Sequence, residues 1–182
     1  MIERIGEWIC TATGKSFYPL DPRPEDICEE DIGHALSQLC RFGGHCSEFY
    51  SVADHSLRVA RLVQDSGHPH RVVLRALLHD ASEAYLVDLP RPIKRMIPQY
   101  KEIERHVQNA IFRKFGLEES EEDDNIVHIA DNVLLATEKR DLMPATSLAW
   151  SPLPPPLPGR IVPLTSEIAL ISFQASLRIL LK

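Results

Sequence analysis

The sequence contains no stretch of about 18 consecutive apolar residues, the length a membrane-spanning helix requires, so no membrane association is expected. It contains no CxxC pair: Cys10, Cys28, Cys40 and Cys46 stand apart, which removes ribbon-type zinc sites and dithiol redox centres. The first residues, MIERIGEWICTATGK, are charged from the third position and lack the apolar core of a signal peptide. Reduced thiols in a cytoplasmic protein are therefore expected. A basic stripe is missing too. The formal charge is −6 and the Lys and Arg residues are scattered, so a nucleic-acid polymer is not an expected partner. No internal repeat is visible. One apparent phosphate motif fails on inspection: GKS at 14–16 resembles the tail of a P-loop, but that loop needs a glycine five positions before Gly14, and Ile9 stands there.

What is present is the make-up of one soluble domain. The 182 residues, 44% hydrophobic and 25% charged, suffice to bury a sizeable core, and a single domain over 1–182 is expected. Trp8, Ile9 and Cys10 lead into TATGKS, and Phe17-Tyr18 return, which reads as a small hairpin. Beyond PLDPRPED the apolar spacing becomes helical. Helices are expected at about 28–41, 51–66, from VVLRALL to about 85, 98–115 and 123–142. The acidic run EESEEDD at 118–124 reads as a solvated loop leading into the last of these, whose N-terminus favours negative charge. SPLPPPLPGRIVP at 151–163 cannot be helical and reads as an extended segment packed across the domain. A final amphipathic helix follows, capped by Thr165 or Ser166. The predicted fold is all-α with a small N-terminal β-hairpin.

Three of these helices carry polar residues on faces that should be buried. His55 interrupts SVADHSLRVA, the pair His79-Asp80 interrupts ALLHDASEA, and Asp131 interrupts VHIADNVLLA. Burying such groups without partners would cost several kcal/mol, on the order of 2–7 each. Two imidazoles and two carboxylates form a mixed nitrogen and oxygen donor set that suits a divalent ion, whose coordination would offset that cost.

The H…HD…D pattern in a helical chain resembles the HD-domain superfamily of metal-dependent phosphohydrolases. ADHS around His55, HDASEAYLVDLPRPIK over 79–94 and the upstream RF at 41–42 resemble the branch of bacterial 5′-deoxynucleotidases and prophage-type phosphohydrolases. The matching region spans about residues 34–142. The resemblance implies one divalent ion (Mn, Co, Fe, Ni, Zn or Mg) held by His55, His79, Asp80 and Asp131. It implies a catalytic Glu83, which on a continuous helix would lie some 6 Å along the axis from His79. It also implies that Arg41 grips phosphate and that Asp88 bonds the sugar 3′-hydroxyl. Phe42 stands where that branch usually has tryptophan. Lys94 is a further phosphate candidate, and His45 a residue that lines the site. His106 and His128 stand in no second-metal motif, and Glu138, seven residues past Asp131, is too far along its helix to share the ion. The implied activity removes the 5′-phosphate from a (deoxy)ribonucleoside monophosphate, a small-molecule substrate. Release of triphosphate from a dNTP and a catalytically idle nucleotide sensor are the alternatives. Whether the chain forms a homodimer stays open.

Overall fold

The computed structural model describes residues 4–182, so Met1 to Glu3 of the expected hairpin segment lie outside the described residues. Strands β1 (Ile9–Cys10) and β2 (Ser16–Phe17) form an antiparallel pair with Ile9 opposite Phe17. Among the described residues the remaining regular structure is helical. Its elements are α1 (Glu29–Gln38), α2 (Val52–Asp65), α3 (His70–Leu77), α4 (Glu83–Leu86), α5 (Arg91–Lys94), α6 (Pro98–Lys114), α7 (Glu121–Leu142) and α8 (Ser166–Leu180), with 3-10 turns at Pro24–Asp26 and Arg41–Gly44. No helix among the described residues is long and apolar enough to cross a membrane.

Side-chain caps set where the long helices begin. Ser51 accepts from the Asp54 amide, Ser120 from the Asp123 amide and Thr165 from the Ile168 amide. Ser120 lies inside the acidic run, so α7 starts within that run. Asp123 and Asp124 are engaged there by Arg71 and Arg75 of α3, and a fully solvated loop is not what the run becomes. Helix α2 is central: it packs against α1, α3, α7 and α8, and Val52, Ala53, Val59 and Val63 face the core. The hairpin docks through the Phe17 ring, stacked on Tyr85 of α4 with centroids 3.9 Å apart, and through Thr13, whose amide and hydroxyl donate to the buried Asp31.

The helix expected to run to residue 85 is broken. Helix α3 stops at Leu77, residues 78–82 form turns, and α4 restarts at Glu83. Two side chains account for the break. His79 Nδ1 donates to the Ala76 carbonyl, an acceptor that a continuing helix would use (2.8 Å). Gln108, from α6, donates to the Leu78 carbonyl (2.7 Å) and accepts from the Ser82 amide (3.0 Å). A single amide side chain thus satisfies two backbone groups left over by the break, each of which would otherwise cost about 1–3 kcal/mol. Apolar periodicity conceals this, because Leu78, Ala81 and Tyr85 stay buried through the turn.

Residues 143–165 contain no regular structure, as the prolines require, and side chains fasten the segment. On α7, Thr137 accepts from the Leu157 amide, Arg140 donates to the carbonyls of Leu157 and Gly159, and Asp141 accepts from the Ile161 amide. On α2, Arg58 donates to the Val162 carbonyl and Asp54 accepts from the Leu164 amide.

Candidate metal centre

His55 is fully buried in α2, and Asp131 lies on the α7 face that packs against it. His79 and Asp80 enter from the turn after α3. Their ring and carboxylate atoms gather at His55 Nε2, as does Asp131 Oδ1. His55 Nε2 lies 3.3 Å from His79 Nε2, 3.6 Å from Asp80 Oδ2 and 3.3 Å from Asp131 Oδ1, while His79 Nε2 and Asp80 Oδ2 are 3.2 Å apart. His55, His79 and Asp80 form a cluster of donors suited to a divalent ion. Ligand atoms bound at about 2.0–2.2 Å sit about 3 Å or slightly more from their neighbours around an ion, which matches this spacing.

The tautomers also fit. The Nδ1 of each ring is committed elsewhere, His79 to the Ala76 carbonyl and His55 to Glu138 Oε1 at 2.6 Å. Each Nε2 is therefore the nitrogen that faces the cluster, with a lone pair available to an ion that displaces its proton. Two lone pairs and two carboxylates facing one another without a cation would repel. The titration behaviour reflects this demand for positive charge. Burial and Arg41 both depress the His55 imidazole, yet Glu138 and Asp131 outweigh them and raise it to about 9. Burial would raise Asp80, but His79, His55 and Arg41 hold it well below the usual carboxylate range. Asp131 is likewise brought down to about 2, against its burial, by its bond to His55 and the charges of His55 and His79.

Of the other predicted residues, Arg41 contacts the cluster directly. Arg41 is buried between Asp80 and Glu138, 3.3 Å from an oxygen of each. It is held there because its amide donates to the Tyr50 carbonyl, next to the bridge between Cys40 and Ser51 that pins its loop to the start of α2. The next three residues, Phe42 (φ 55°), Gly43 (φ 61°) and Gly44 (φ 84°), are all left-handed, and only the two glycines take that conformation without strain. The Phe42 ring lies 5.4 Å from the Arg41 guanidinium and 6.3 Å from the Trp150 ring.

Glu83 begins α4 with its amide bonded to the Asp80 carbonyl (3.0 Å). It comes near the cluster through the turn, not along a continuous helix. Its side chain is buried and Oε2 has no hydrogen-bond partner. Burial first, then the charges of Asp80 and Asp88, push its carboxyl well above the usual range. Asp88 is half-buried and follows Val87, which has φ 68° and ψ 160°. Lys94 is paired with Glu104 at 2.5 Å.

Other histidines are not drawn in. His45 is exposed, and among the described residues its ring makes no hydrogen bond to the cluster. His106 and His128 are exposed and bonded to Arg105 and Asn132. The residue that spacing along α7 leaves out is Glu138. It is fully buried and touches both His55 and Arg41. A carboxylate directly after the run VLLAT, two turns from Asp131 on the same helix face, is the signal that could have found it.

No family model matches the chain. It is 43% identical over 135 residues to the uncharacterized protein YfdR of Escherichia coli, covering 74% of this chain and 72% of that protein. Over shorter regions it resembles two proteins named 5′-deoxynucleotidase. That of Cronobacter sakazakii is 36% identical over 76 residues, 34% of this chain and 38% of that protein. That of Pasteurella multocida is 32% identical over 71 residues, 33% of this chain and 36% of that protein.

Proposed function

The chain belongs to the family of the Escherichia coli protein YfdR, and on that premise we propose that it is an HD-type, metal-dependent phosphohydrolase removing the 5′-phosphate from (deoxy)ribonucleoside monophosphates. The carrying observation is the cluster of His55 Nε2, His79 Nε2 and Asp80 Oδ2, with Asp131 Oδ1 3.3 Å from His55 Nε2, beside a buried glutamate with an unpartnered oxygen. The partial likeness to 5′-deoxynucleotidases supports the reading.

In this reading those four residues hold one divalent ion. Bound there, the ion supplies Lewis-acid polarisation of a phosphate oxygen and a more acidic water. Arg41 engages Asp80 and Glu138 with two of a guanidinium's five N–H donors, and others are left for phosphate oxygens. Glu83, buried and with an unpartnered oxygen, takes a proton from the attacking water and returns one to the departing 5′-oxygen. Asp88 accepts a hydrogen bond from the 3′-hydroxyl, and the Phe42 ring occupies the space beside the 2′ carbon. Lys94 and His45 stand further out, as a secondary phosphate contact and a rim residue. The substrate is a small molecule, and the whole chain acts as one cytoplasmic domain.

Elemental analysis of the purified protein, with a phosphate-release screen over nucleoside mono-, di- and triphosphates, tests the proposal. About one divalent ion per chain and fastest release from monophosphates is expected. Triphosphate release would move the activity to dNTPs. Saturable binding without turnover would make the protein a sensor.

A further inference from the structure

Resting on that reading, we infer that Glu138 is a positioning residue that fixes His55 as a ligand and Arg41 as an anion grip through one carboxylate. Its two oxygens are divided between them: Oε1 lies 2.6 Å from His55 Nδ1 and Oε2 lies 3.3 Å from Arg41 Nη2. Helix α7 thereby flanks the His55 ring, with Asp131 Oδ1 3.3 Å from Nε2 and Glu138 bonded to Nδ1. Seven residues, about 10.5 Å of helix, separate the two carboxylates. That spacing is too long for both to reach one ion, yet it lets Asp131 face the ion beside Nε2 while Glu138 holds Nδ1.

The partners of the two ligand rings differ in kind. His79 donates Nδ1–H to a neutral carbonyl, whereas His55 donates to a carboxylate. A carboxylate partner makes the opposite nitrogen a stronger donor to metal, and outer partners of this kind are typically worth about 10–100-fold in metal affinity. The same carboxylate draws on Arg41, whose other terminal nitrogen lies 3.3 Å from Asp80. The guanidinium plane is thus set by one residue of the cluster and one residue behind it. A salt bridge serving stability alone would need only Arg41.

The test uses Co²⁺ as probe. Metal-free wild type, Glu138→Gln, Thr137→Val and His79→Ala are titrated with Co²⁺ by visible absorption and by chelator competition, with circular dichroism as a check of folding. Thr137 is as buried as Glu138 and bonds the Leu157 amide, but makes no bond to His55 or Arg41, so it controls for loss of a buried polar contact on that turn. Expected is a Co²⁺ affinity about 10–100-fold lower in Glu138→Gln, with an altered absorption spectrum. Inorganic phosphate should also bind more weakly to the Co²⁺-loaded variant, and Thr137→Val should match wild type in each measurement. Wild-type affinity and spectrum in folded Glu138→Gln would overturn the inference. Should that variant not fold, Glu138→Asp, which keeps the charge but shortens its reach, is titrated instead, and unchanged affinity there overturns it equally. Equal Co²⁺ binding by wild type and His79→Ala would remove the metal reading itself, a distinct result.

Discussion

His55 and Asp131 project from the interiors of long helices, whereas Phe42 and the residue before Asp88, Val87, are the two non-glycine residues with positive φ among the described residues. The converging donors are held by packing and by bonds to their far sides: His55 by Glu138 and His79 by the Ala76 carbonyl. Two residues given to the sugar in the proposed reading, Phe42 and Asp88, lie instead at or next to strained backbone. Left-handed or extended positive-φ conformations at non-glycine residues cost about 1–3 kcal/mol each, and they persist only where the surroundings over-determine them. Two means of support imply two tolerances. A substitution among the donors should remove chemistry outright, and one among the strained residues should shift preference.

The largest effect is expected at the donors. Asp80→Asn and His79→Ala should lose bound metal beyond the roughly 10–100-fold seen when only an outer partner is removed. Elemental analysis checks this, and unchanged metal content would erase the contrast between the two sides. Glu83→Gln should keep the ion and lose roughly 10²–10⁴-fold in kcat. Loss of the ion in that variant would move Glu83 into the donor set.

On the strained side the effects are smaller. An unpaired, desolvated 2′-hydroxyl costs about 1–3 kcal/mol. Phenylalanine is smaller than the tryptophan usual in the branch that the sequence resembles, so the preference for deoxyribo- over matched ribonucleotides should fall in the lower part of that range, roughly 5- to 30-fold in kcat/KM. Phe42→Ala should narrow it. Equal kcat/KM for the pair in wild type would show that the ring does not read the 2′ position. Smallest of all, Val87→Gly should raise the thermal midpoint by a few degrees, because relief of about 1–3 kcal/mol of strain exceeds the roughly 0.5–1 kcal/mol entropic cost of glycine. Its KM should rise as Asp88 loosens. A lowered midpoint with unchanged KM would mean that Val87 holds nothing in place.

Much of this arrangement is legible in the residues. Helical spacing with polar interruptions picks out His55, His79, Asp80 and Asp131; the first three cluster, and Asp131 Oδ1 lies 3.3 Å from His55 Nε2. The break after Leu77 is not legible, because its buried residues keep a helical rhythm and one of its causes, Gln108, lies on another helix. Glu138 escapes for a different reason. Distance along α7 rules on whether it can share an ion with Asp131, but says nothing of the second nitrogen of an imidazole presented by α2. The short helix α5 and the strained backbone at Val87 leave no periodic trace either.

The fastened segment after α7 has a consequence for chain length. Ile161 is tied to Asp141 on α7 and Leu164 to Asp54 on α2. Three extended residues reach about 10 Å, close to the 8–10 Å that separates the axes of packed helices. The segment therefore works as a spacer of set length between the helix that carries His55 and the helix that carries Asp131. An inserted or deleted residue between 161 and 164 would unfasten one anchor. This stretch, without regular structure, should tolerate changes of side chain far better than changes of length.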